Sequence, residues 1–392
     1  MRIAYFTHYF PPAGFAASVN TYEIVRRLAM RGHKLLVFAQ PTFRKGAVQP
    51  MTQYAEGGPQ NLEIHQSLPT PLPLSVTVPH ILNLTESMKY QFDVVITQFH
   101  AFHLASFPGY VLKVLEKKPW VVKVQDLMLD PSLPTSLFEK MFISLYYHRA
   151  FLGFLGKKAD KIMVLTSRLK SLLEGLGFDS KRLTIMRHGV DTGLFCPSGS
   201  ESQSELTKAI LYIGSMRAQY GLDSLIKAFG ILRPTESLKL ILIGQGPDRN
   251  RLMELTRKLK LEKDVEFYSY VPHDALPKVI QKAYVTVGPL RPSLANYYTI
   301  PTKALEYFAC GKTIVSTAVC EEVLIDGYTG LVLETPTPKG IAEKLSILIE
   351  DEKLNASMGR NARQLVLEKF DWERIIDGLE TELQGIVPKE YN

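Results

Sequence analysis

Four residues set close together carry the most suggestive chemistry in this sequence: Pro301, Thr302, Lys303 and Glu306, within TIPTKALEYFACGKTIVST (residues 299–317). Proline suits the first turn of a helix, where its missing N–H costs nothing. Helix formers continue through Cys310, and Gly311 ends the run. The N–H groups of Thr302 and Lys303 then stand free at the positive end of a helix, which is a ready anion site. Glu306 lies at i+4 from Thr302, on roughly the same face. A carboxylate there can accept hydrogen bonds from a pair of sugar hydroxyls. The set suits a ligand that carries phosphate beside ribose. The plain alternative is a capped α/β helix with a solvated glutamate, and residue types alone leave both open.

The elements around this helix must position it. A β-branched run, Thr313 to Thr317, reads as the strand that follows. Upstream, the strand at 209–214 ends in Gly214 and the loop GSMRAQYG, and the strand at 238–243 runs into Gly244 and GQGP. Glycine permits close backbone approach or unusual dihedrals at both turns. Arg217, Arg249 and Arg291 offer positive charge near these loops, with a solvated or salt-bridged role as the alternative. Tyr297 and Tyr298 can pack on a sugar or base, or simply fill their loop. The stretch VEFYSYV at 265–271 reads as a strand ending before Pro272.

The first half repeats the pattern. Residues 2–7 read as a buried strand, followed by a Pro/Gly turn containing Gly14, a helix at 18–32 and a strand at 34–39. Ligands of such open α/β sheets gather at the carboxyl ends of the strands, so Gly14 is placed near a crevice. GxGxxG is absent, so this is no dinucleotide fingerprint. Residues 41–80 read as an irregular excursion holding one short strand, 61–66. The α/β pattern resumes at 92–98 and 119–127. His100 and His103 follow the first of these strands; their spacing matches no metal-ligand pattern, and they are acceptor-side candidates. Asp126 follows the second, facing the crevice as a catalytic candidate beside Lys303 and Glu306, or capping the next loop. Ser167 is placed to cap a helix in 161–177. Residues 136–161 interleave Phe, Leu and Tyr with Lys and Arg, a pattern that fits either a helix packed on the sheet or one lying on anionic lipid.

The stretch 191–208 is polar, rich in Gly, Pro and Ser, and lacks periodicity, so it reads as a linker. The expected organisation is an N-terminal Rossmann-like domain over 1–190 on the acceptor side and a C-terminal one over 209–370 on the donor side. A terminal helix over 371–392 is expected to pack back on the first domain. Composition, 46% hydrophobic and 22% charged, is that of a globular protein. No apolar run is long enough to span a bilayer, and the start lacks the apolar stretch of a secretion signal. A cytoplasmic protein is expected, with a peripheral position on the membrane as the further version. Three cysteines make no disulfide framework. The net charge of +7 favours anionic partners. No RNP, helix-turn-helix or zinc pattern supports a nucleic-acid partner.

Taken together, PPxxG, ADKIMVLTSRLKSLLEGLG, HGVDTGLF, LILIGQGPDRNRL, VEFYSYVPHDALP, PTKALEYFACGKTIVST and EEVLIDGYTGLVL occur in an order that resembles the retaining GT4-like glycosyltransferases. These have two Rossmann-like domains facing across a cleft, the GT-B fold. The resemblance implies sugar transfer from a nucleoside-diphosphate-sugar to a hydroxyl acceptor, with no obligatory cofactor or metal. It assigns ribose binding to Glu306 and diphosphate binding to the N–H groups of Thr302 and Lys303. Tyr270 and Val271 join the donor-side candidates. The PxKxxEY form resembles a subgroup with lipid-linked acceptors in polysaccharide assembly. Departures are also present. The first of two family glutamates eight positions apart falls at Tyr298, and the Arg and Lys of the loop after the second domain's first strand fall at Ser215 and Tyr220. Arg217, Arg291 or Lys303 would then have to compensate. The alternatives are a nucleotide-sugar epimerase of the same fold and a non-catalytic partner that binds nucleotide sugar.

Overall fold

The computed structural model describes residues 1–8, 10, 16–39, 59–66, 78–99, 106–124, 156–197, 208–232, 238–292, 297–318 and 321–388. Gly14, His100, His103, Asp126 and residues 136–155 lie outside the described residues. The chain divides into two compact units, Met1–His188 with Glu373–Asn392, and Gly189–Trp372. Unit 1 contains β1 (Arg2–Thr7), α1 (Ala16–Met30), β2 (Lys34–Ala39), β3 (Leu62–Gln66), α2 (Val78–Ser87), β4 (Val94–Phe99), α3 (Phe107–Glu116), β5 (Trp120–Val124), β6 (Lys161–Val164), α4 (Ser167–Gly175) and β7 (Leu183–Ile185). Unit 2 contains β8 (Lys208–Ile213), α5 (Leu222–Ile231), β9 (Leu238–Ile243), α6 (Arg249–Lys258), β10 (Val265–Tyr268), α7 (Leu276–Gln281), β11 (Val285–Gly288), α8 (Thr302–Ala309), β12 (Ile314–Thr317), β13 (Gly330–Leu333), α9 (Pro338–Glu350) and α10 (Glu352–Lys369). Helix α11 (Trp372–Ile386) follows and belongs, from Glu373 on, to unit 1.

Each unit is built on a parallel sheet. In unit 1 the order is β3-β2-β1-β4-β5-β6-β7, and in unit 2 it is β10-β9-β8-β11-β12-β13. All described pairings are parallel, such as Ile3 opposite Leu35 and Val94, and Ile210 opposite Leu240 and Val285. Parallel strands need crossovers and are covered on both faces, which is why they read as continuous apolar runs. Ile3, Ala4, Tyr5 and Phe6 are fully buried, as are Ile210, Leu240 and Val285. In both sheets the order reverses beside the first strand, and that switch point is where such folds leave a crevice at the strands' carboxyl ends.

Helix α11 is tied to unit 1 by charge. The Arg31 guanidinium reaches Glu373 at 2.6 Å, Asp377 at 2.7 Å and Glu380 at 2.6 Å. Arg27 pairs with Glu373, and His33 lies 2.6 Å from Glu380. Residues 191–197, which the sequence reading assigns to a linker, are fixed onto unit 2. Arg363 donates to the carbonyls of Thr192 (3.1 Å), Phe195 (2.8 Å) and Ala309 (2.7 Å), and Gln281 donates to that of Cys196 (2.7 Å).

Other local features differ from expectation. Helix α2 begins inside the stretch expected to be irregular; Pro79 sits in its first turn, where it costs no hydrogen bond. The cap of α4 is Thr166, not Ser167: its backbone is extended and its hydroxyl accepts from the Leu169 N–H at 3.1 Å. Strand β10 stops at Tyr268, short of Val271.

Candidate functional site

The expected helix is α8, and its start is open. Pro301 is extended, with ψ 112°, and offers no side-chain cap. The first turn is closed by Ala304 N–H donating to Pro301 O at 3.0 Å. The Thr302 and Lys303 N–H groups have no acceptor among the described residues. Ala304, Leu305, Tyr307 and Phe308 are buried, and each large apolar side chain contributes roughly 1.5–3 kcal/mol to holding the helix in place.

Tyr307 aligns α8 with β8. Its hydroxyl accepts the Ile213 N–H at 2.7 Å, at the carboxyl end of that strand. One turn earlier, Lys303 projects to the same place. Its ammonium lies 4.4 Å from the centre of the Tyr212 ring and 4.6 Å from that of Tyr220, and donates to the Tyr212 hydroxyl at 3.2 Å. Two ring faces of negative quadrupole thus hold one cation, an arrangement worth up to about 2 kcal/mol where water is excluded. Burial draws the Lys303 ammonium down to about 7, with the nearby Glu306 charge opposing the shift. Burial likewise pushes the Tyr212 and Tyr307 phenols up, so both remain neutral.

The floor beside the ammonium is glycine. Gly214 and Gly244 both have φ of 146°, a region that favours glycine. Gly214 N–H donates to Ile243 O at 2.9 Å, and Gly244 N–H donates to Tyr268 O at 2.9 Å. The turns after β8 and β9 therefore run against each other. A Cβ on Gly244 would fall 1.9 Å from the Gly214 carbonyl oxygen; one on Gly214 would fall 2.6 Å from the Lys303 Nζ. Both positions admit no side chain without displacement.

Glu306 occupies the next turn of α8. Its Oε1 lies 3.0 Å from Nε2 of His273, and its side chain is 16% exposed. Arg291 meets both carboxylate oxygens of Asp223, at 2.9 and 3.0 Å, and its backbone N–H donates to Gln219 O. Burial raises the Asp223 carboxyl, but the Arg291 guanidinium outweighs it and holds it below its ordinary value. Arg291 thus closes the loop after β8. Arg217 is exposed in that loop, with no ion pair among the described residues. Tyr270 is exposed beyond β10, Val271 is half-buried two residues before His273, and Tyr298 packs edge-on against Tyr297 with ring centres 5.1 Å apart.

The structure therefore joins Gly214, Gly244, Pro301, Thr302, Lys303 and Glu306 at the carboxyl edge of the second sheet. Tyr212, Tyr307 and His273 were not anticipated. Tyr307 had a signal, its i+4 spacing from Lys303; His273 had none. Among the described residues no three His, Cys, Asp or Glu side chains gather as a metal site, and no helix is long and apolar enough to cross a membrane.

Known proteins share this architecture. Residues 17–194 match Glycosyltransferase Family 4, and residues 198–365 match Glycosyl transferases group 1. An uncharacterized glycosyltransferase of Methanocaldococcus jannaschii is 24% identical over 76% of this chain and 78% of its own. The D-inositol 3-phosphate glycosyltransferase of Corynebacterium aurimucosum is 24% identical over 94% and 91%. Among solved structures, Anabaena HepE in complex with UDP superposes with a TM-score of 0.76 at 16% identity, over 98% of this chain and 100% of the other. With family matches across both halves and two parallel-sheet Rossmann-like domains like those of its structural neighbours, the chain belongs to the group 1 and family 4 glycosyltransferases of GT-B fold.

Proposed function

We propose that this protein transfers a sugar, with retention of configuration, from a nucleoside-diphosphate-sugar to a hydroxyl acceptor. The observation that carries this reading is the Lys303 ammonium held beside the open start of α8, with Glu306 one turn further on. The Thr302 and Lys303 N–H groups and the Lys303 ammonium take the diphosphate, and Glu306 takes the ribose. As the glycosidic bond breaks, negative charge grows on the diphosphate. Donors already aimed at that position favour the transition state over the ground state without reorganisation. The leaving phosphate then assists attack from the same face, so no paired glycosidase carboxylates are required.

Lys303 compensates for the absence of basic side chains at Ser215 and Tyr220. Tyr220 itself supplies a ring against that ammonium. Arg217 adds charge from the exposed loop, whereas Arg291 is spent on Asp223. Tyr270, Val271 and Tyr298 are assigned to the nucleoside and sugar. Gly14 is assigned to donor binding, Asp126 to catalysis, and His100 and His103 to the acceptor. UDP, bound in the Anabaena neighbour, is the first nucleotide to test. The PxKxxEY form favours a lipid-linked acceptor, reached from the cytoplasmic face of the membrane.

The replaced family positions Ser215, Tyr220 and Tyr298 favour one second reading, a partner that binds nucleotide sugar without turnover. Product analysis separates the readings. Transfer from donor to a hydroxyl acceptor is expected; conversion of donor alone identifies an epimerase, and tight binding with no product identifies the non-catalytic partner.

A further inference from the structure

We infer that His273 is a positioning residue for Glu306, one that fixes the carboxylate so that a single oxygen is presented to the ribose hydroxyls; this rests on the ribose role proposed for Glu306. The two side chains come from different elements. Glu306 sits in the second turn of α8, and His273 opens the single helical turn His273–Ala275 that precedes α7. Nε2 lies 3.0 Å from Oε1, a hydrogen-bond distance. In the neutral tautomer with the proton on Nε2, the ring donates to Oε1. Oε2 has no partner among the described residues, so its lone pairs are left to accept from a ligand.

The support behind His273 is also built. Its ring lies 5.2 Å from that of Phe195, which is 1% exposed. The Phe195 carbonyl is held by Arg363, and the same guanidinium nitrogen donates to Ala309 O in the last turn of α8. One arginine therefore fastens the wall behind the imidazole to the helix that bears the carboxylate. The distance between the two side chains is set by this frame as well as by their own hydrogen bond. A glutamate on a helix surface has several rotatable bonds, and ordering them on binding costs free energy. A carboxylate ordered beforehand avoids that cost.

This assignment predicts a specific effect on ribose recognition. The assay is calorimetric titration with whichever of UDP, GDP and ADP binds the native protein most tightly, together with its 2′,3′-dideoxy counterpart. His273→Ala should weaken the ribonucleotide about tenfold, the loss of one net hydrogen-bond contribution. Its affinity for the dideoxy form should not change. His273→Gln, whose amide nitrogen reproduces the Nε2 donor, should restore ribonucleotide binding. Equal weakening of both nucleotides by His273→Ala would show a general structural defect and overturn the inference. If His273→Ala changes neither affinity while Glu306→Ala abolishes the discrimination, positioning by His273 fails and the ribose role of Glu306 stands. Intact discrimination in Glu306→Ala, or no binding by any of the three nucleotides, removes the ribose role and the inference with it.

Discussion

Replacing Gly214 with alanine should disable diphosphate binding through a residue that carries no charge. The added Cβ would lie 2.6 Å from the Lys303 Nζ and 3.1 Å from the Tyr212 hydroxyl. The ammonium is the far end of a flexible chain, so it gives way first. The backbone there, at φ 146°, also disfavours alanine, at a cost on the order of 1–3 kcal/mol of stability. A charge-assisted hydrogen bond contributes about 1.5–3 kcal/mol, so losing the ammonium should weaken nucleoside-diphosphate binding by about 10- to 100-fold. Lys303→Met should do the same directly. Both changes remove one interaction, so their effects should not add: Gly214→Ala with Lys303→Met should bind like Lys303→Met alone. Calorimetric titration of the four proteins, with melting curves to establish folding, makes the comparison. Additive losses would show that Gly214 acts apart from Lys303. Unchanged affinity in Lys303→Met would refute the role given to the ammonium, whether or not Gly214→Ala folds.

Two further predictions concern charge. Because burial brings Lys303 down to about 7, a bound diphosphate should draw a proton onto it. Affinity should fall as pH rises above that value, with proton uptake in calorimetry, and Lys303→Met should show neither. The unfolded chain holds this proton up to an ordinary lysine value of 10.5, so between the two values unfolding binds a proton and stability rises with pH. Lys303→Met should therefore raise the melting temperature more at pH 6 than near pH 10. Arg363→Ala removes donors to three backbone carbonyls and should cost about 2–4 kcal/mol, read by urea unfolding; a change below about 0.5 kcal/mol, ordinary for surface positions, would contradict it.

Much of the architecture was legible because parallel strands bury both faces. Ile3 to Phe6, Val94 to Ile96 and Leu240 to Ile243 are apolar runs, and each lies within a strand. The open start of α8 was legible from Pro301, and its end from Gly311, which has φ 71°. What stayed hidden depends on distant chain segments meeting. Lys303 and Tyr212 are 91 residues apart and His273 and Glu306 are 33 apart, so no local pattern joins them. Tyr220 read as a lost charge, yet its ring faces a lysine supplied by another element. Adjacent hydroxyls at Thr166 and Ser167 offered two caps, and only the backbone angle chooses between them. Helix α2 was obscured by the prolines around it, one of which occupies its first turn.

The most direct measurement is a structure of the protein with its preferred nucleoside diphosphate bound. The terminal phosphate oxygens should lie about 2.7–3.2 Å from the Thr302 and Lys303 backbone nitrogens and from the Lys303 ammonium, with the ribose on Glu306. A nucleotide bound elsewhere, leaving the first turn of α8 without an anion, would contradict the account.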